Sequence, residues 1–119
     1  IFGDDRIILI SDSMRATGLD DGDYTLGGQY VKVTGNLAAL KDGTIAGSVT
    51  NLMDCMRTAV LKMGIPLESA VKCAAVNPAK SVGIYDKHGS ISVGKKADVV
   101  LLSQEGLEVR NIIMDGKLL

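Results

Sequence analysis

Residues 7–21 read IILISDSMRATGLDD: four large apolar residues run straight into Ser11-Asp12-Ser13, and a stretch rich in glycine and aspartate follows. Residues 6–11 are predicted to form one continuous apolar strand, the kind covered on both faces in a parallel sheet. Asp12 then stands just past the strand end. An aspartate there has a plain structural use, accepting nearby backbone N–H groups in a turn. It has a chemical use as well, because α/β sheets place their working residues at the C-terminal ends of strands. A carboxylate so placed can act as general base and then as general acid.

Working outward, residues 15–48 are rich in Gly, Asp and Thr. Tyr30, Lys32 and Thr34 alternate with Val31 and Val33, which predicts a half-buried strand, and Gly35-Asn36 suits a turn before Leu37–Leu40. This region is expected to be an inserted hairpin, followed by a loop at KDGTIAGS. Over residues 49–63 the period changes. Val49, Leu52, Met53, Met56, Ala59, Val60 and Met63 form one helical stripe, with Ser48 or Thr50 as cap and Gly64 as stop. Pro66 suits the first turn of a second helix carrying Leu67, Ala70, Val71 and Ala74 on one face. Asn77-Pro78 is expected to break or kink it, since the residue before proline disfavours helical geometry. The tail is strand-rich: ADVVLL, EVRNIIM and KLL, with Asp115-Gly116 as a hairpin signal.

The composition narrows the function classes. A chain of 119 residues, nearly half apolar and with a net charge of −1, suits one ordered domain. The thirteen basic residues are scattered and aromatics are few, which speaks against a nucleic-acid partner. Apolar runs reach about five residues, far short of the roughly 20 that span a bilayer. Cys55 and Cys73 form no CxxC pair, so a reduced, cytoplasmic setting is expected. The chain starts at Ile1 with a strand close behind, as a cut inside a longer protein would.

Other candidate residues favour plain readings. Asp20, Asp21 and Asp23 miss the spacing of a calcium loop, whose bidentate glutamate would fall on Val31, and a solvated turn is expected. His88 is the only histidine, in a turn-like stretch. Catalytic zinc usually takes three protein ligands, and one histidine with two distant cysteines does not supply them. The cysteines and the methionine stripe are expected to be core packing. GTIAGS places Gly43 and Gly47 before a helix start, where free N–H groups could meet a substrate's oxygens, though it lacks the P-loop lysine.

Four segments in order, ISDSMRATGLDDGDYTLGG, LKDGTIAGS, VKCAAVNPAKSVGI and KHGSISVGKKADVVLL, resemble the C-terminal third of the N-acetylglucosamine-6-phosphate deacetylase family of the amidohydrolase superfamily. The last two segments resemble the tails of many amidohydrolases; the first two are more particular to the deacetylases. The resemblance implies an α/β fold class. Residues 1–88 would be the end of a (β/α)8 barrel, with its last strand, the hairpin insertion and helices. Residues 89–119 would be the C-terminal strands of a small β-sandwich, with open sheet edges that invite pairing. It implies that Asp12 is the catalytic carboxylate and that the backbone of Ile45, Ala46 and Gly47 contacts substrate, with glycine allowing close approach to a sugar.

The same resemblance implies a divalent metal, zinc or similar, in the full-length enzyme. Its ligands, a glutamate and two histidines, would come from earlier barrel strands, as would a substrate-binding histidine and the phosphate-binding residues. No metal site is therefore expected within this chain, and the chain alone is expected to be inert. The implied partners are a phosphorylated amino sugar, the rest of the barrel and further copies of the chain in a homo-oligomer, with no nucleic acid or membrane. Two departures from the pattern are Ser13, where many relatives have alanine, and Pro66, near a usual Ser or Thr cap. Two rival readings are a cyclic-amide hydrolase of dihydroorotase type and a non-catalytic α/β binding or assembly module.

Overall fold

A computed structural model of the protein describes residues 2–119. The chain divides into two compact units, one of Ile10–Cys55 and the other of the described residues up to Leu9 together with Met56–Leu119.

The first unit is a four-stranded antiparallel sheet in simple meander order, β1 Gly22–Leu26, β2 Gln29–Thr34, β3 Leu37–Ala39 and β4 Ile45–Gly47. The alternation along β2 holds: Val31 and Val33 are buried, Val31 wholly so, between the exposed Tyr30, Lys32 and Thr34. With Met14, Ala16 and Ala38 they make the core of this unit, and Tyr24, Leu40, Ala46 and Val49 lean on it. The hairpin therefore has two strands more than expected. The Asp-rich run is not a solvated turn but the entry to β1. Asp21 accepts the Gly35 N–H (2.8 Å) and Asp23 accepts the Tyr30 hydroxyl (2.5 Å), which ties both acids into the sheet. Nor is KDGTIAGS a loop throughout. Leu40 N–H donates to Thr44 O (2.8 Å), Gly43 N–H to Leu40 O (3.0 Å), and Asp42 Oδ1 accepts the Thr44 N–H (3.0 Å). This tight turn, with Gly43 at positive φ, swings Ile45–Gly47 back as a strand beside β3.

The helical stripe is α1, Leu52–Leu61, which starts within the Ile10–Cys55 unit and continues into the other, with Met56 and Ala59 buried. Its cap is Asn51 rather than Ser48 or Thr50. Asn51 Oδ1 accepts the Asp54 N–H (2.9 Å), which satisfies one free donor of the helix start, while its side-chain amide donates to the Asp54 carboxylate (2.8 Å). The stop at Gly64 is as expected: φ is +70° there, and Ile65 N–H reaches back to Ala59 O (3.0 Å).

The expected break at Asn77-Pro78 does not occur. α2, Leu67–Val71, passes through one wide π turn, Lys72–Val76, into α3, Asn77–Ser81. Asn77 N–H bonds to Lys72 O five residues back, and Pro78 then falls in the first turn of α3, where a missing N–H costs nothing. The tail forms an antiparallel sheet of β5 Val99–Leu102, β6 Val109–Met114 and β7 Lys117–Leu118. Asp115 and Gly116 both take positive φ between β6 and β7, the geometry of the expected two-residue turn.

The segment expected as strand 6–11 is also corrected. Asp4–Arg6 is a 3-10 turn, and residues 7–12 join no sheet. Beyond the local Ile7 N–H to Asp4 O bond, their backbone reaches other segments at Leu9 N–H to Cys73 O (2.9 Å) and where Asp12 O accepts the Ser48 N–H. A strand exists as a ladder, and with no neighbour paired along it this run stays extended, with Ile10 69% exposed.

Candidate active site around Asp12

Everything expected of the site on this chain lies in the Ile10–Cys55 unit. Just beyond β4, Ser48 pairs in parallel with Ser13. Ser48 N–H donates to Asp12 O (3.2 Å), and Met14 N–H donates to Ser48 O (2.8 Å). Ser13 Oγ adds a bond to Thr50 O (2.7 Å) and lies 2.8 Å from Ser11 Oγ. Asp12 and the Ile45–Gly47 strand are thus held on one frame by main-chain bonds, before any side chain is considered.

Asp12 itself has φ +51°, a left-handed conformation that aspartate tolerates better than most residues. An aspartate in a bend commonly uses its carboxylate to secure that bend. Here it does not: among the described residues the carboxylate accepts no hydrogen bond, and the bend is secured by the backbone of Ser48. The side chain is exposed and lines an open concavity of about 460 Å3 together with Asn36, Leu37, Ile45, Ala46, Gly47 and Ser48. A Cβ added to Gly47 would make ordinary contacts, 3.6 Å from Met14 Cβ and 3.8 Å from Leu26 Cδ2. Internal packing on that side therefore does not demand glycine.

The remaining candidates lie apart from this concavity. Asp20 and Asp21 lead into β1, and Asp23 lies within it. His88 sits in its turn with Nδ1 3.4 Å from an Asp98 carboxylate oxygen, an ion pair only when the imidazole is protonated. Cys55 and Cys73 are free thiols, Cys73 buried. Among the described residues no three His, Cys, Asp or Glu side chains gather as a metal ion would need. Asp12 is one carboxylate, and the Asn36 and Ser48 beside it are neutral, so these residues do not fit a metal centre by themselves. No described helix is long and apolar enough to cross a membrane.

The β2–β3 tip, Asn36 and Leu37, enters the lining without having been singled out beyond its turn. Its place there follows from sheet register, Ala38 facing Gly47, which no local pattern reveals. The turn signal at Gly35-Asn36 was the only trace of it.

The sequence model of the amidohydrolase family matches residues 6–119. The chain belongs to the amidohydrolase family. Amidohydrolases are in general metal-dependent, and the chain is similar to a particular group of them. It is 43% identical over 103 residues to N-acetylglucosamine-6-phosphate deacetylase of Bacillus subtilis, covering 87% of this chain and 26% of that protein. It is 37% identical over 114 residues to N-acetylgalactosamine-6-phosphate deacetylase of Escherichia coli O157:H7, covering 96% of this chain and 30% of that one. Among solved structures, a Mycobacterium smegmatis N-acetyl-D-glucosamine-6-phosphate deacetylase variant in complex with N-acetyl-D-glucosamine 6-phosphate superposes with a TM-score of 0.85 at 36% identity. That match covers 98% of this chain and 31% of that structure. The chain thus spans about a quarter to a third of the length of these amidohydrolases, and these comparisons favour neither a cyclic-amide hydrolase nor a non-catalytic module.

Proposed function

We propose that this chain is the Asp12-bearing part of a hydrolase that removes acetate from N-acetylglucosamine 6-phosphate, leaving glucosamine 6-phosphate. The observation that carries the reading is the Asp12 carboxylate, free of hydrogen-bond partners in its own chain and fixed by main-chain bonds beside the Ile45–Gly47 strand at the edge of one concavity. Membership of the amidohydrolase family and similarity to named deacetylases support the choice of substrate class. In the reaction, water attacks the acetamide carbonyl carbon and Asp12 accepts the proton that water gives up. The C–N bond then breaks as Asp12 returns that proton to the departing amine nitrogen, so the amine and acetic acid leave, the acid giving its remaining proton to the amine or to solvent to become acetate, and Asp12 is again a carboxylate. Ile45, Ala46 and Gly47 present backbone to the sugar, and the bare Cα of Gly47 permits the closest approach.

In this reading residues 6–11, unpaired here, take the place of the last strand of a (β/α)8 barrel with Asp12 just past its end, residues to 88 complete that end, and 89–119 contribute strands to a small β-sandwich. The metal of the whole enzyme, zinc or a similar divalent ion, is held by residues outside this chain. The whole protein works in the cytoplasm as a homo-oligomer, consistent with two free thiols and with the open edges of the β5–β7 sheet. The test is Asp12→Asn in the whole enzyme. Turnover falls by about 10²–10⁴, the usual worth of a positioned acid–base group, while metal content measured by elemental analysis is retained. Activity within threefold of the parent enzyme refutes the assignment.

A further inference from the structure

We propose that Pro78, with Asn77 before it, is a positioning residue for Asp12. Its missing N–H leaves the Cys73 carbonyl open to Leu9, and this bond fixes the start of the segment that ends in Asp12. The link to Asp12 rests on the deacetylase reading above; the bond to Leu9 does not.

Inside a helix a carbonyl is bonded by the amide four residues on, or five residues on in a π turn. For Cys73 O those amides belong to residues 77 and 78. Asn77 N–H is committed to Lys72 O, and Pro78 has no N–H to give. The Cys73 carbonyl therefore has neither helical partner, although helix runs without a break over residues 67–81. Leu9 N–H takes the vacant place at 2.9 Å. One turn further on, the Asn77 side-chain amide donates to Ile7 O at 2.6 Å. Ile7 is extended, with φ −109° and ψ 135°. In an extended run the C=O of one residue and the N–H of the next but one lie on the same edge. The helix thus offers that edge one donor and one acceptor, as a neighbouring strand would. An uninterrupted α-helix would give the residue 77 amide to Cys73 O, and Leu9 would lose its vacant acceptor. Asp12 follows Leu9 by three residues, about 10 Å of extended chain, so a shift at Leu9 is passed along with little slack. A displacement of about 1 Å in a positioned catalytic group can cost on the order of 100-fold in rate.

The experiment compares Pro78→Ala, Asp12→Asn and the parent enzyme, each full length. Alanine suits helical geometry and restores an amide that competes with Leu9 for the Cys73 carbonyl. Hydrogen exchange at the Leu9 amide is expected to quicken about fivefold, the worth of one ordinary hydrogen bond, with β2 amides as the unchanged reference. On N-acetylglucosamine 6-phosphate, kcat should fall about tenfold with KM within twofold, since Asp12 acts in the chemical step. The unfolding midpoint should hold or rise, because the helix gains a donor and loses a proline. Leu9 exchange within twofold of the parent overturns the role of Pro78, whatever the activity. Faster Leu9 exchange with kcat unchanged, or a loss of kcat matched by a lowered midpoint, overturns the positioning of Asp12. A parent enzyme that leaves the substrate intact, or an active Asp12→Asn, overturns the deacetylase reading and the link to Asp12 with it, while the Leu9 measurement still decides the role of Pro78 in holding that segment.

Discussion

Asn77 is the only buried polar side chain among the described residues, at 6% exposure, and its replacement gives the sharpest stability prediction. Its amide nitrogen donates to Asp4 O and to Ile7 O, each at 2.6 Å. It thereby fixes the 3-10 turn and the start of the apolar run, and Asp12 lies five residues after Ile7 along that run. Asn77→Ala removes both donors at once. Each bond is worth about 1 kcal/mol net, and a buried acceptor left without a partner costs about 1–3 kcal/mol. Partial access of water to the exposed turn keeps the sum at about 2–4 kcal/mol, or roughly 30- to 1,000-fold in a local opening constant. Hydrogen exchange in the native protein reads this locally. The Leu9 amide, bonded to Cys73 O, should exchange faster by that factor, while amides of β2 keep their protection. Asn77→Asp, which keeps the volume but sets acceptors against two carbonyls, should do at least as much. Acceleration of Leu9 by less than threefold in both variants would refute the view that Asn77 ties this segment down.

Three further outcomes follow from the geometry. The hydrogen bond from Lys72 (3.0 Å) and then that from Ser69 hold the Asp4 carboxyl below the usual carboxylate range. With the folded value depressed, this pairing stabilises the protein above the ordinary carboxylate pKa of about 4 and is lost as pH falls through the lower folded value. NMR titration of the Asp4 carboxyl should show a midpoint below that of an unpaired aspartate, and Lys72→Met should move it upward. At the basic end, Asp5 and then Asp4 raise Lys72, so its share persists below the ordinary lysine value and disappears as pH rises through the higher folded one. Gly89→Ala should destabilise by about 2 kcal/mol or more, because φ is +88° and the new Cβ would lie 2.7 Å from Ala79 Cβ and 2.9 Å from Ala75 O. Denaturant unfolding measures it, and a midpoint equal to that of the parent protein would contradict the crowding seen there.

What the residues disclosed in advance were features set by local chemistry. The alternation at Tyr30–Thr34, the part of the 49–63 stripe within Leu52–Leu61 and the Asp115-Gly116 turn stand because period and turn preference act within a few residues, while Val49 and Met63 at the stripe's ends fall outside the helix and Met63 is exposed. The misses share a different cause. The strand at Ile45–Gly47 depends on a neighbour supplied by β3, and the helix survives Pro78 because a π turn five residues long shifts the register just before it. The run IILI is the instructive case. Its composition is that of a strand buried on both faces, yet Ile7, Ile8 and Ile10 are exposed and no ladder forms along residues 7–12. A sequence this apolar is costly to leave in water, about 25 cal/mol per Å2, which agrees with the proposal above that in the whole enzyme these residues pair with barrel strands from outside this chain. The carboxylate that follows obeys the same logic. Asp12 occupies a left-handed backbone that Ser48 secures through the Asp12 carbonyl, spends neither carboxylate oxygen on the described fold, and lines the concavity beside Ile45–Gly47. A residue needed only for the bend would satisfy itself locally. One whose bend is held by a neighbour's backbone, with its carboxylate left free, has the arrangement that the proposed acid–base role requires.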